Sequence, residues 1–339
     1  MNIKYGIIGG GAWGRCYINA LLKNPVLELT AVAEVSDESL AALKTDFPNI
    51  SITKNYRDLL ENDADIIAVV VPNFLHYPIG KDVLNAGKHL LMEKPFTLSE
   101  DEGKELVQLA EQKKLKIAVG HQFRLSSLWG LMKKMIDNGF IGKPCYALAE
   151  LSRNPYRLGV EGWRFDLKRV GDWIAEEPIH FLDLVSWYFA QYTQPISVHA
   201  SANTSNPNRP ELFDNIGITI DFADHAFAVV TQTLCAFEHH QMIKVTGTKG
   251  ALWGGWSGAL DRTLHPKFFL KAFDGQEVRE ISITKMTGEL YELEDQLQWM
   301  ADAVQGKAPI HCTGNEGCFA VRLSAAALKS AQHHQRIEL

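Results

Sequence analysis

Short apolar runs alternate with amphipathic stretches through the first third of the chain. Residues 5–8, 29–33, 65–71, 88–93 and 116–120 read as strands. They are nearly continuous in apolar residues, as strands covered on both faces should be. Helical spacing fills the gaps. Tyr17, Ala20, Leu21 and Leu22 follow the first run, and Leu40 and Leu43 follow the second behind a Ser36-Asp37 cap. A helix over about 78–86 stops at Gly87, and Ser99-Glu100-Asp101-Glu102 opens a helix to Lys113 as a capping box. This alternation predicts a doubly wound parallel sheet, with the run 88–93 as its central strand.

From Arg124 the period changes. A helix over about 127–138 ends at Gly139. Alternating or β-rich runs follow at 146–151, 196–202, 216–222, 226–235, 242–247, 268–273 and 278–283, joined by short turns such as 221–225. The stretch around Trp253 and Trp256 reads as a glycine-rich loop. Helical spacing returns at 289–304 and 316–331, where packing helices are expected. The expectation is an α/β protein. Residues 1–123 form the doubly wound N-terminal domain. Residues 124–339 form an α+β domain with a mostly antiparallel sheet, whose last helices are free to pack back on the first domain.

Length and composition narrow the class. A chain of 339 residues has room for two domains, and 46% hydrophobic with 22% charged residues is an ordinary globular mix. A net charge of −6 argues against a nucleic-acid surface. No apolar run has the length of a membrane span. The start lacks the pattern of a signal peptide. The five cysteines are scattered, with no C-x-x-C pair, so thiols in a reducing compartment are expected, with no zinc site and a cytoplasmic location.

The chemistry lies at the ends of the strand-like runs. Gly9-Gly10-Gly11-Ala12-Trp13-Gly14 fits G-x-G-x-x-G between a strand and a helix. Its glycines permit a tight turn, close approach of a pyrophosphate, and helix–strand packing, and the helix N-terminus faces the phosphates. Glu34 closes the second run at about the 20-residue distance expected of the residue that accepts ribose hydroxyls. Val35, Ser36 and Asp37 supply no Arg or Lys for a 2′-phosphate, which favours NAD over NADP. Pro72-Asn73 and His76 follow the third run, and Glu93-Lys94-Pro95 ends the fourth. Ligands bind at the carboxyl end of such a sheet, which places Lys94 in a cleft. Further on, a helix over 176–184 would set Glu176 and His180 on one face as an i, i+4 pair, with Pro178 in its first turn. His121, Arg124, Arg153, Asn154, Tyr156, Trp163, Arg164 and Asp166 offer the polar and aromatic groups that hold a polyol.

The glycine turn, Pro72-Asn73 with His76, and Glu93-Lys94-Pro95 together resemble the Gfo/Idh/MocA family of glucose–fructose oxidoreductase and inositol dehydrogenases. The resemblance implies a Rossmann domain followed by an α/β domain with an open antiparallel sheet. It also implies hydride transfer between a nicotinamide and a carbon of a sugar or cyclitol. Cofactor contacts are then expected at Gly9, Gly11, Ala12, Trp13, Gly14, Glu34, Pro72, Asn73, His76, Glu93 and Lys94. Substrate contacts are expected at His121, Arg124, Arg153, Trp163, Arg164, Glu176 and His180. His180 falls on the histidine of the family's Asp-x-Gly-x-His motif and is the expected acid/base. Glu176 replaces the motif's Asp and Pro178 its Gly, and the longer Glu side chain is expected to reach the substrate differently. Lys94 is expected to stabilise the reacting oxygen, with no metal, and a homodimer or homotetramer to form. Two other activities fit the same fold: redox-assisted glycoside cleavage on a tightly held NAD, and non-catalytic nucleotide sensing.

Overall fold

A computed structural model describes residues 2–339, and its chain divides into two compact units. The first comprises residues 2–122 with 293–319, the second 123–292 with 320–339.

In the first unit the elements alternate as β1 (Ile3–Ile8), α1 (Ala12–Lys23), β2 (Leu27–Ala33), α2 (Asp37–Asp46), β3 (Ile52–Thr53), α3 (Arg57–Glu61), β4 (Ile66–Val69), α4 (His76–Asn85), β5 (His89–Met92), α5 (Glu100–Lys113) and β6 (Ile117–Val119). The six strands are parallel in the order β3-β2-β1-β4-β5-β6. The middle of the sheet is therefore β1 and β4, and β5 lies one place from the edge rather than at the centre. The strand order reverses between β1 and β4, which is where nucleotide crevices form in such sheets. The caps match their residue types. Ser36 accepts from the Ser39 N–H and Ser99 from the Glu102 N–H, each at 3.3 Å.

The second unit is built on α6 (Trp129–Asp137), β7 (Pro144–Ser152), α7 (Leu167–Val170), α8 (Pro178–Phe189), β8 (Pro195–Asn203), β9 (Asn215–Phe222), β10 (Phe227–Thr233), β11 (His239–Gly247), β12 (Ala251–Gly258), β13 (Lys267–Phe273) and β14 (Val278–Glu280). After them come α9 (Glu289–Val304), α10 (Gly314–His333) and β15 (Ile337–Glu338). Nine strands form one sheet in the order β14-β13-β12-β11-β7-β10-β9-β8-β15. Every neighbouring pair is antiparallel except β7 with β10. Helices α6 and α8 pack on one face.

The stretch expected as a glycine-rich loop is strand β12, paired on both sides. Its alternation is broken because neighbours fill the places of its missing side chains. A Cβ on Gly254 would lie 2.9 Å from both Met132 and the Trp129 ring of α6, and the Phe269 ring of β13 covers Gly255. Trp253 points outward, with Lys244 and Lys271 over its ring, while Trp256 is buried and its Nε1 donates to the Thr287 carbonyl at 2.9 Å.

Most of α9 belongs to the first unit. Leu293, Leu297, Met300 and Ala301 complete the core of Tyr5, Tyr17, Ile18 and Leu21. The Tyr5 hydroxyl donates to the Leu297 carbonyl at 2.7 Å, and Gln296 Nε2 donates to the Tyr17 hydroxyl at 2.9 Å.

Candidate active site

The glycine turn of the first unit has the backbone its sequence requires. Gly9 has φ of +104°, a region L side chains rarely adopt, and a Cβ on Gly14 would run into the Gly9 carbonyl. Gly11 stands at the cap of α1, so no side chain caps the first turn of this 12-residue helix. A Cβ on Gly11 would meet nothing within 4 Å, so there is space directly before that end. An uncapped helix N-terminus with space in front fits the pyrophosphate of a dinucleotide. Ala12 opens the helix, and Trp13 in its first turn sends Nε1 to Glu93 Oε1 at 2.7 Å.

Glu34 stands just past the end of β2. Its Oε2 accepts from the Gly10 N–H and its Oε1 from the Ser36 N–H, both at 2.8 Å, which aims the carboxylate at the turn. The Glu34 N–H donates to the Thr53 carbonyl at 3.0 Å, so the end of β3 lies alongside. The next residue, Lys54, forms an ion pair with Asp37. A cation is therefore close to the acidic residue. Reading residues 34–37 alone missed it, because it arrives from another strand.

Beyond β4, Asn73 is buried after Pro72, and His76 is wholly buried at the start of α4. His76 Nδ1 lies 2.6 Å from the Pro95 carbonyl oxygen and Nε2 lies 3.0 Å from that of Val71. Lys94 follows β5, and the Lys94–Pro95 peptide is cis. Glu93 is buried. Its Oε1 accepts from Trp13 and, at 2.5 Å, from the Tyr17 hydroxyl, and its Oε2 accepts from the Lys94 N–H at 3.1 Å. Burial pushes its carboxyl above the usual range, and the Tyr17 and Trp13 donors pull it back. Trp13, His76 and Glu93, all three expected to contact cofactor, bond to protein groups. His121 is buried just after β6.

In the second unit, His180 lies in the first turn of α8, behind Pro178 at its start. The helix begins too late to include Glu176, so the expected i, i+4 pairing within one helix does not occur. Glu177 takes the cap position, proline fixes the first turn, and Glu176 sits in the preceding turn, where Arg164 Nε donates to its Oε2 at 2.8 Å. The Phe123 ring lies 4.7 Å from the His180 ring. One turn along α8, Asp183 accepts from Arg124 Nε at 2.8 Å and from its terminal nitrogen at 2.6 Å, a buried bidentate pair. Arg153 pairs with Glu177 and lies 3.5 Å from Asp261. The ring of Trp163 packs in a small core with Tyr156, Val170, Trp173, Leu212 and Leu234, and Arg164 covers its face at 4.6 Å. Arg124, Arg153 and Trp163, expected to hold substrate, thus have structural partners within the second unit. Asn154 and Asp166 lie on the loops beside them, with the Asp166 side chain capping α7.

Two acids, half-buried Asp172 and buried Glu292, escaped the sequence reading. Asp172 accepts from the Ala175 N–H at 2.8 Å, and burial pushes its carboxyl up to about 6, with Glu176 adding to the rise. Burial likewise pushes Glu292 up to about 8. His239, on β11, is pushed down to about 3 by burial first and by Arg153 next. None of the three stands in a sequence pattern. Only the packing around them marks them.

A parallel sheet in this order, with a glycine turn before α1 and a carboxylate after β2, defines a nucleotide-binding oxidoreductase unit, here joined to a second α/β unit. The chain belongs to the Gfo/Idh/MocA oxidoreductase family. The family's NAD-binding Rossmann fold matches residues 3–121 and its C-terminal alpha/beta domain residues 133–339. The chain is 24% identical to an inositol 2-dehydrogenase of Rhizobium meliloti over 345 aligned residues, covering 100% of both chains. It is also 24% identical to the NADP(+)-dependent scyllo-inositol 2-dehydrogenase IolW of Bacillus subtilis, covering 99% of this chain and 96% of that one. Among solved structures, levoglucosan dehydrogenase in complex with NADH shares the fold, with a TM-score of 0.84 at 19% identity, covering 100% of this chain and 99% of that one. Among the described residues, no helix is long and apolar enough to cross a membrane.

Proposed function

We propose that this chain is an NAD(P)-dependent oxidoreductase that moves hydride between nicotinamide and a secondary alcohol or ketone carbon of a sugar, sugar derivative or cyclitol. The observation that carries the reading is Lys94 at the carboxyl end of the parallel sheet, just past β5, the strand beside β4, and tied through Glu93 to the helix of the glycine turn. The names of the relatives, inositol dehydrogenases among them, support the substrate class. The bound nicotinamide supplies the hydride acceptor or donor. Gly9, Gly11 and Gly14 shape the turn that takes the pyrophosphate, and Glu34 takes ribose hydroxyls, which favours NAD. Lys94 donates to the substrate oxygen and stabilises its developing negative charge. His180 takes the hydroxyl proton, and Glu176, held by Arg164, orients a substrate hydroxyl.

A panel of sugars and cyclitols with NAD⁺ and NADP⁺, followed by absorbance of the reduced nucleotide, tests the reading. On the substrate it finds, His180→Ala and Lys94→Ala should each lower kcat by roughly 10²–10⁴. Near-normal turnover in both variants would sink it. Release of an aglycone without net reduced nucleotide would replace it with redox-assisted glycoside cleavage. The outer face of the nine-stranded sheet carries Phe227, Trp253 and Phe273, all partly exposed, and this supports self-association, with light scattering as the check.

A further inference from the structure

We propose that Glu93 and His76 are positioning residues, which clamp the backbone on either side of Lys94 and act through it rather than on the nucleotide. The proposal rests on the reading of Lys94 as the group that meets the substrate oxygen.

The need for a clamp follows from where Lys94 stands. Strand β5 ends at Met92, so the ladder no longer holds the chain. A lysine carries its charge on a flexible four-carbon stem, so its reach is only as well defined as the backbone beneath it. On the amino side, the Lys94 N–H donates to Glu93 Oε2 at 3.1 Å. The other oxygen of that carboxylate is held by Trp13 Nε1 at 2.7 Å and by the Tyr17 hydroxyl at 2.5 Å, and Gln296 Nε2 holds Tyr17 in turn at 2.9 Å. The end of β6 closes on the same group. A Cβ on Gly120 would lie 3.1 Å from Glu93 Oε2. On the carboxyl side, the fully buried His76 ring lies between the Pro95 carbonyl, at 2.6 Å from Nδ1, and the Val71 carbonyl, at 3.0 Å from Nε2, and as a neutral ring it donates to one of the two. The backbone is thereby held on both sides of Lys94, at its own N–H and at the Pro95 carbonyl, to two parts of the nucleotide cradle: helix α1, which starts at the glycine turn, and the segment that carries Asn73.

The chemistry of the carboxylate explains why a glutamate stands there. Three donors converge on Glu93, and an ionised carboxylate is the side chain that only accepts. Glutamine has the same shape but carries an NH₂ in place of one oxygen, so it would turn a donor toward Lys94 N–H or toward the Trp13 and Tyr17 pair. Glu93→Gln is therefore a disruptive change at this position.

The test is made on the full chain. Reductive ¹³C-methylation labels the lysines, and the Lys94 resonance is assigned by its loss in Lys94→Arg. In Glu93→Gln, Tyr17→Phe and His76→Asn, the Lys94 resonance should move or split, while the dissociation constant for NADH, read by fluorescence, stays within about threefold. On the substrate found in the panel, kcat should fall by about 10–10² with a smaller change in KM, as expected when a reacting group is misplaced. Tyr17→Phe removes one donor from the carboxylate without touching Lys94, so it serves if Glu93→Gln does not fold. An unmoved Lys94 resonance in all three variants would overturn the clamp. So would NADH binding that weakens in step with kcat, since that would make these side chains nucleotide contacts. A moved resonance beside full turnover in Lys94→Ala would leave the clamp standing and remove the catalytic reading.

Discussion

Glu34 sits between a cradle that fixes it and a lysine that opposes it. Its oxygens are anchored by the Gly10 and Ser36 amides, and Lys54 reaches the same corner through Asp37. Removing the carboxylate takes away repulsion toward a 2′-phosphate and leaves the cation. Glu34→Ala should therefore tighten NADPH binding by about tenfold, close to 1.4 kcal/mol. Adding Lys54→Ala should cancel the gain, and fluorescence titration of NADH and NADPH against the three proteins checks both. Glu292 gives a second prediction. It accepts from the Thr287 hydroxyl at 2.6 Å and the Gly288 N–H at 2.7 Å, and burial pushes its carboxyl to about 8. An acid raised in the fold binds its proton more tightly there than in the unfolded chain. The stability it contributes is full below its ordinary value of 4.5 and is lost as pH rises through about 8. Glu292→Gln does not titrate, so its stability relative to the parent should climb between pH 5 and about pH 8, at up to about 1.4 kcal/mol per pH unit, and level off above that. Denaturation midpoints at pH 5, 7 and 9 read the gap, and a constant gap would refute the assignment. The two positions also show what a sequence discloses at this scale. That Glu34 and Lys94 stand at strand ends was legible, because each directly follows one apolar run. Glu292 and Asp172 were not, because their short-range bonds form no sequence pattern and only the packing around them raises their carboxyls, and Lys54 was not, because it arrives from another strand.

Elements were legible where one periodicity ran without interruption. The parallel strands, the Ser36 and Ser99 caps and helix α9 fall where the apolar spacing put them. Two misreadings have local causes. Helix α8 starts at Pro178 because proline belongs in a first turn and has no N–H to give to an earlier one, which leaves Glu176 outside. Strand β12 was hidden by Gly254 and Gly255, whose side-chain places are taken by residues of α6 and β13. That explanation makes a contrast within one sheet. A methyl on Gly254 would meet Met132 and Trp129 at 2.9 Å, whereas one on Gly217 of β9 would meet nothing within 4 Å. Gly254→Ala should cost about 1–3 kcal/mol by overpacking. Gly217→Ala should be neutral or stabilising by up to about 1 kcal/mol, because alanine restricts the unfolded chain. Urea denaturation of the two variants separates these outcomes, and equal costs would mean that β12 is not packed against α6.

At the scale of the whole molecule, the two-part organisation was visible in the switch from strand–helix alternation to successive strands near Arg124. Which unit the late helices join was not visible, since an amphipathic helix shows that it has a buried face and nothing about what buries it. The structure assigns residues 293–319 to the first unit, far along the chain from the strands they cover. Leu297 and Met300 are almost wholly buried among Tyr5, Tyr17 and Ile18, and the Tyr5 hydroxyl is satisfied by the Leu297 carbonyl. A chain cut after residue 123 would keep every strand of the six-stranded sheet yet leave that apolar face in water and the Tyr5 hydroxyl without its acceptor. Burying a Leu or Met side chain is worth roughly 1.5–3 kcal/mol each, so losing several approaches the 5–15 kcal/mol that holds a whole domain together. The isolated fragment 1–123 should therefore keep far-UV helical signal while losing near-UV dichroism and binding a hydrophobic dye, the behaviour of a collapsed chain without fixed packing. In the full chain, Leu297→Ala should lower stability by about 2–5 kcal/mol. A fragment with sharp, dispersed amide resonances and NADH affinity equal to that of the full chain would show that the first unit is complete without the late helix.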